Sequence, residues 1–265
     1  MCRAGYEVRV LPKEDGSWED NPPNLFAFSA RDLRWCQGNL QYLKLLGLPG
    51  LPGMSRFQLA WAILMFVGVP AMTLGIALAP LKLLDGEDLE TFPAALALAL
   101  YLAFLGMYLA PKLAGLADIL LARGVARYGG MRRFMAGAAI EIGFAFLLGA
   151  VTTFRLTAFM IGLAFGRTIA WNGQTRDAEA VPWGLAALEL WPATMFGLAV
   201  CGSLALLSPA TLAWSLPLTL GYLTAIPFAV ATASPNLGAW LAERGLCAVP
   251  EEFETPSEIA ALAGR

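Results

Sequence analysis

Arg31-Asp32-Leu33-Arg34-Trp35-Cys36-Gln37-Gly38-Asn39 gathers two guanidiniums, a carboxylate, an indole and two amides into nine residues. A guanidinium fork matches the paired oxygens of a diphosphate, and an indole face matches the C–H face of a sugar ring. Arg31, Asp32, Arg34, Trp35, Gln37 and Asn39 therefore make a candidate surface for a nucleotide-sugar or a growing glycan. Arginine and tryptophan also anchor helices at membrane interfaces, and the residue types alone leave both readings open. A second group, Trp171-Asn172-Gly173-Gln174-Thr175-Arg176-Asp177, repeats the indole, the amides and the arginine. Two such patches on one face can close over one ligand, with Gly173 lending backbone freedom; an ordinary polar connection is the alternative.

The elements that position these groups belong to a membrane. Of 265 residues, 58% are hydrophobic and 14% charged, where a soluble domain carries about 25% charged residues. The mean hydropathy is +0.61. With a net charge of -2 and scattered basic residues, no electrostatic footprint for nucleic acid is present. There is no histidine, which removes His-based triads, His metal sites and a histidine pH switch. Cys2, Cys36, Cys201 and Cys247 form no CxxC pair, so neither a disulfide framework nor a zinc site is indicated. Chemistry in this chain must use carboxylates, arginines and amides.

These features predict an all-α polytopic membrane protein of four to six transmembrane helices with amphipathic interfacial helices. Residues 1–24 lack the apolar stretch of a signal peptide, and Tyr6-Glu7-Val8-Arg9-Val10-Leu11 alternates as a half-buried strand does. A strand with no neighbours to pair with is expected to be a short remnant of a domain lying upstream. Pro22-Pro23 ends it, and residues 25–56 are expected to form an interfacial helix carrying the nonapeptide, with an apolar stripe of Phe26, Leu33, Leu40 and Leu43. Spans are predicted at 57–79, 92–110, 183–207 and 211–233, each near the ~20 residues needed to cross ~30 Å of hydrocarbon. Residues 113–127 are too charged to span and read as a second interfacial helix. The 134–170 region, interrupted by Thr152, Thr153 and Arg155, reads as a hairpin of two spans or a re-entrant pair. Either returns the chain to the side it left, leaving 234–265 as a tail.

With that return, one side collects 16 of the 18 Lys and Arg residues, so both termini and the nonapeptide are expected in the cytoplasm. Arg132 and Arg133 then lie at headgroup level, Glu141 reads as interfacial or channel-lining, and Arg155 reads as an anchor on the far side.

Arg34-Trp35 on a helix entering the membrane resembles the Q-x-x-R-W element of processive family 2 glycosyltransferases such as cellulose synthase. The fuller R-D-L-R-W-C-Q-G-N string is similar to their branch that makes osmoregulated periplasmic glucans. Ordered matches continue through Asn21-Pro22-Pro23-Asn24-Leu25, Pro111-Lys112-Leu113, Tyr128-Gly129-Gly130, Trp171-Asn172 and Val249-Pro250-Glu251-Glu252. The resemblance implies a bacterial inner-membrane hexosyltransferase that polymerises glucose from UDP-glucose onto a β-glucan acceptor and exports the product. It implies that Trp35 stacks on the acceptor and Arg34 meets the diphosphate, while Arg31 stands where relatives have glutamine. Trp171, Asn172, Gln174 and Arg176 occupy the place of the relatives' gating loop. The family's D-x-D metal site and T-E-D base do not occur in this sequence, so no catalytic or metal-ligating residue is assigned. The expectation is a channel and acceptor-binding portion, inactive alone, whose missing catalytic domain brings Mg²⁺. The alternative is a stand-alone membrane transporter or scaffold without catalytic activity.

Overall fold

The computed structural model describes residues 5–7, 9, 18–19, 21–84, 94–170, 173, 177 and 179–263. Among them every regular element is helical. Tyr6, Glu7 and Arg9 take no regular structure, and the rest of the expected strand, with the acidic 85–90 loop, lies outside the described residues. Contacts divide the chain into two units, Met1–Ile76 with Thr152–Glu179, and Ala77–Val151 with Ala180–Arg265.

Four helices are long and apolar enough to cross a membrane: α2 (Gly53–Leu84), α3 (Ala94–Leu121), α4 (Met131–Ala164) and α5 (Trp183–Leu207). A fifth passes only as a pair, α6 (Pro209–Leu223) and α7 (Ala225–Thr232), bent by 61°. Pro227, the third residue of α7, has no N–H to bond back across the break at Thr224, which accounts for the bend. Large apolar side chains such as Trp61, Met65, Met107, Leu188 and Trp191 are more than half exposed, as lipid-facing residues are. These features are those of a multi-pass membrane protein.

Two expectations are corrected. Residues 113–121 are the last turns of α3, which runs through Pro111 without ending, and only Gly124–Tyr128 follows as a separate 3₁₀ turn. Arg123, at φ 57 in the left-handed region, closes α3 where an interfacial helix was predicted to continue. Residues 131–164 form one 34-residue helix in place of a hairpin or re-entrant pair. Threonine is compatible with a helix in apolar surroundings because its hydroxyl bonds back to the preceding turn, as Thr157 does to the Thr153 carbonyl at 2.8 Å. A continuous α4 removes the return step on which the cation count grouped 167–182 with 111–134. At 1.5 Å per residue α4 is about 51 Å long, so it must tilt or project beyond ~30 Å of hydrocarbon.

In the second unit small residues let the backbones close. A Cβ on Gly221 would stand 2.6 Å from the Leu147 carbonyl oxygen and 2.7 Å from the Ala150 Cβ, and one on Gly197 would stand 2.6 Å from the Tyr222 Cβ. Such approaches between helices are what association in lipid favours. Tyr222, fully buried, meets Phe196 edge-on at 5.1 Å, and Tyr101 donates to the Trp214 carbonyl at 2.8 Å. Lys112 forms an ion pair with Glu141, so the carboxylate expected to line a channel is held between α3 and α4. The tail around Gly245, Cys247 and Phe253 packs on Gly129, Arg133 and Gly137, with short helices α8 (Pro235–Glu243), α9 (Pro250–Phe253) and α10 (Ser257–Ala263).

Gly221→Ala is expected to lower the thermal unfolding midpoint in detergent, by more than about 1 kcal/mol, because the new methyl meets backbone atoms that cannot yield. Gly143→Ala, with nothing within 4 Å of the added Cβ, should leave the midpoint unchanged or raise it.

Candidate functional site

The nonapeptide lies on α1 (Leu25–Leu40) in the first unit. Pro22 and Pro23 cannot continue regular structure, and Asn24 then caps the helix, its Oδ1 accepting from the Phe26 and Ala27 amides at 3.1 and 3.0 Å. Two of the four orphan amides of the first turn are thereby satisfied. A 3₁₀ turn at Gln41–Lys44 finishes the element. The buried residues are Leu25, Ser29 and Cys36, not the predicted stripe of Phe26, Leu33, Leu40 and Leu43; Leu43 is 59% exposed. Polar Ser29 is buried on the side that also carries Thr152, Thr153 and Arg155.

One face of α1 is aromatic and cationic. The Arg31 guanidinium sits over the Phe28 ring at 4.7 Å and over Trp35 at 4.9 Å, and its Nε stands 3.8 Å from Asp32 Oδ1. Held between two rings, Arg31 orients the Trp35 indole, which is 52% exposed and available for stacking. Arg34 is partly buried on the same helix. Asn39 turns back on its own helix, donating to the Trp35 carbonyl at 2.9 Å, so its amide braces the indole's backbone.

Gln37 reaches across the unit. Its Nε2 donates to the Ile169 carbonyl at 3.2 Å, and its Oε1 accepts from the Ile169 amide at 2.9 Å. This pair ties α1 to the segment following α4, two residues ahead of Trp171. Trp171, Asn172, Gln174 and Arg176 themselves lie outside the described residues.

The other face of α1 closes a cavity of about 200 Å³. Ser29, Asp32 and Leu33 line it from α1 and Val69 from α2. Thr152, Thr153, Arg155 and Leu156 complete it from α4. Beside it Thr73 and Thr157 bridge α2 to α4 through hydroxyls 2.8 Å apart, and the Arg155 guanidinium lies 5.4 Å from the Phe26 ring centre. Of the predicted site residues that are described, only Asp32 lines this cavity. Ser29, Thr152, Thr153 and Arg155 were not predicted as site residues. The signal for the last three was the polar interruption of an apolar stretch, which marks a functional position in a membrane helix more often than a break.

Burial pushes the Asp32 carboxyl above its ordinary value of 3.8, outweighing the neighbouring Arg31, which pulls it down. Burial also pushes the Cys36 thiol up to about 11, so it stays protonated and is no nucleophile. Among the described residues no three His, Cys, Asp or Glu side chains cluster.

The comparisons with known proteins agree on one group. A family model described as glycosyl transferase family group 2 matches residues 1–110, a stretch that contains α1. Glucans biosynthesis glucosyltransferase H of Vibrio cholerae serotype O1 (classical Ogawa) is 31% identical over 99% of this chain and 39% of its own length. Similarity to proteins of this name runs along nearly all of this chain. The proteins of that name from Pseudomonas putida KT2440 and Caulobacter vibrioides NA1000 are each 30% identical. They align with 98% and 100% of this chain, and with 32% and 42% of their own lengths. The chain thus spans about a third to two fifths of the length of the curated relatives it matches. No solved structure matches it.

Gln37→Ala leaves the Ile169 amide without its partner and is expected to lower stability by about 1–3 kcal/mol, read as a drop in the unfolding midpoint. Gln37→Glu, able to accept but not to donate, should fall between. For Asp32 the sign runs the other way: a carboxyl raised on folding contributes stability below 3.8 that is lost as pH rises through its folded value. Asp32→Asn is therefore expected to raise the midpoint at pH 7, with the difference fading as the pH approaches 4.

Proposed function

We propose that this chain forms the membrane-embedded, acceptor-contacting portion of a hexosyltransferase that polymerises glucose from UDP-glucose into β-glucan. In this reading it sits in the bacterial inner membrane, α1 faces the cytoplasm, and the helices pass the polymer toward the periplasm. The observation that carries the reading is homology to glucans biosynthesis glucosyltransferases H along 98–100% of the chain. The match to a family 2 glycosyltransferase model over the α1 region supports it.

The residues of α1 divide the work. Trp35, exposed and oriented by Arg31, stacks on the terminal sugar of the acceptor. Arg34 meets the nucleotide diphosphate, to which a guanidinium can donate in pairs. Gln37 holds Ile169 beside the motif, which supports residues 171–176 serving the same ligand as a gating loop. Donor-sugar chemistry belongs to a family 2 domain with its own acidic residues and Mg²⁺, and no step of that chemistry is assigned to the residues described here.

In cells whose periplasmic glucan depends on this protein, chromosomal Trp35→Ala is expected to reduce glucose incorporation from UDP-[¹⁴C]glucose by isolated membranes about ten-fold, the worth of one good aromatic contact. Unchanged incorporation at normal protein level would remove Trp35 from the acceptor site.

A further inference from the structure

Leu43, Leu45, Leu46, Leu48 and Leu51 crowd the connection between α1 and α2. Connections that face water are ordinarily built from polar and turn-forming residues, yet Leu43, Leu45 and Leu48 are exposed here. The apolar exposure continues into the first turns of α2 through Met54, Phe57 and Trp61, with the Phe57 and Trp61 rings stacked at 6.2 Å. The leucines therefore extend the lipid-facing surface of α2 into the loop that precedes it.

The backbone of this loop is prepared for an apolar medium. The Leu45 and Leu46 amides donate to the Tyr42 carbonyl at 2.9 and 3.1 Å, and the Leu48 amide donates to the Leu45 carbonyl at 3.0 Å. The Arg56 guanidinium donates to the Leu48 carbonyl at 3.2 Å. Turns closed on themselves in this way let leucines enter the edge of the hydrocarbon without stranding their amides. Arg56 lies in the first turn of α2, directly before Phe57, so its bond to Leu48 fixes the loop at the depth where the span enters the bilayer.

Charge names the kind of surface. No Asp or Glu occurs between Asp32 and Asp85, whereas Lys44 and Arg56 flank the leucines and are exposed. Cations beside shallowly inserted apolar side chains favour acidic headgroups. A second copy packed two-fold on the same patch would set these cations against their own kind.

We infer that residues 43–51 form a wedge that enters the headgroup and acyl boundary of one leaflet, with Lys44 and Arg56 taking the phosphates of acidic phospholipids. The wedge holds the C-terminal end of α1 at the membrane surface, and that hold depends on the anionic content of the leaflet. It rests on the chain crossing a membrane and not on the glucan reading.

Hydrogen exchange read by mass spectrometry on the full chain in nanodiscs tests this, with phosphatidylglycerol mixed into phosphatidylcholine as the acidic surface. The amides of 43–51 should exchange at least about five-fold more slowly with phosphatidylglycerol present than in phosphatidylcholine alone, the worth of one basic residue near an anionic surface. Dissolved inorganic phosphate added to the phosphatidylcholine discs should bring no slowing. Lys44→Gln with Arg56→Gln should abolish the difference between the two lipids, and Leu43→Ser with Leu45→Ser should speed exchange in both. Lys44→Gln alone leaves the Arg56 bond to Leu48 in place, so it should reduce the difference while the unfolding midpoint stays at the wild-type value. The inference is overturned if the two lipids give equal exchange, if the double Gln variant keeps the difference, or if phosphate alone reproduces it. Protection that appears only in discs holding two chains would assign the leucines to a second copy and overturn it as well.

Discussion

Hydrocarbon offers no partner to a backbone N–H or C=O, and that constraint governs the long helices of this protein. It makes the long apolar stretches helical from end to end, because the helix is the one local structure that satisfies its own backbone. It also explains why two interruptions, unlike Pro227, leave their helices unbroken. Pro111 lies inside α3, and the Thr152-Thr153-x-Arg155 interruption lies inside α4. In each case ending the helix would expose more unsatisfied groups than carrying the irregularity costs.

The same constraint shapes how helices associate. Apolar side chains gain little from leaving lipid for one another, so packing depends on close backbone approach and on hydrogen bonds between helices. Gly197 and Gly221 serve the first need in one unit, and the Thr73–Thr157 bridge serves the second in the other. α1 follows a third rule. It carries polar residues on two sides: the Arg31–Trp35 face presents an indole, and the Ser29–Asp32 face closes a cavity against α2 and α4. Gln37 fixes α1 to the chain beyond α4 with two hydrogen bonds to one peptide group, so the position of α1 is set by polar contacts rather than by an apolar stripe.

Much of the fold was legible because composition and run length respond directly to the solvent. The spans at 57–79 and 183–207 each fall within a single helix, as do the described residues of 92–110, and Pro22-Pro23 with Asn24 marked the start of α1. The misreadings came where polar residues were taken to end a span: the charges of 113–127 were read as a separate interfacial helix, and Thr152, Thr153 and Arg155 as a break in α4. The buried side of α1 was misread for a related reason. Periodicity assigns burial to apolar residues, whereas Ser29 and Cys36 are buried against a partly polar neighbour.

The sequence by itself determined the solvent, the class of structure and the concentration of functional groups on α1, since all three depend on residue types and their spacing along the chain. Only the tertiary structure decided which groups meet. Arg155 lies 124 positions from Arg31, yet both stand against α1 side chains, one lining a cavity beside Asp32 and the other stacked under Trp35. Gln37 finds Ile169 across 132 positions. Contacts of that range depend on how helices pack, and packing in lipid is set by backbone approach and a few hydrogen bonds that leave no periodic trace in the sequence.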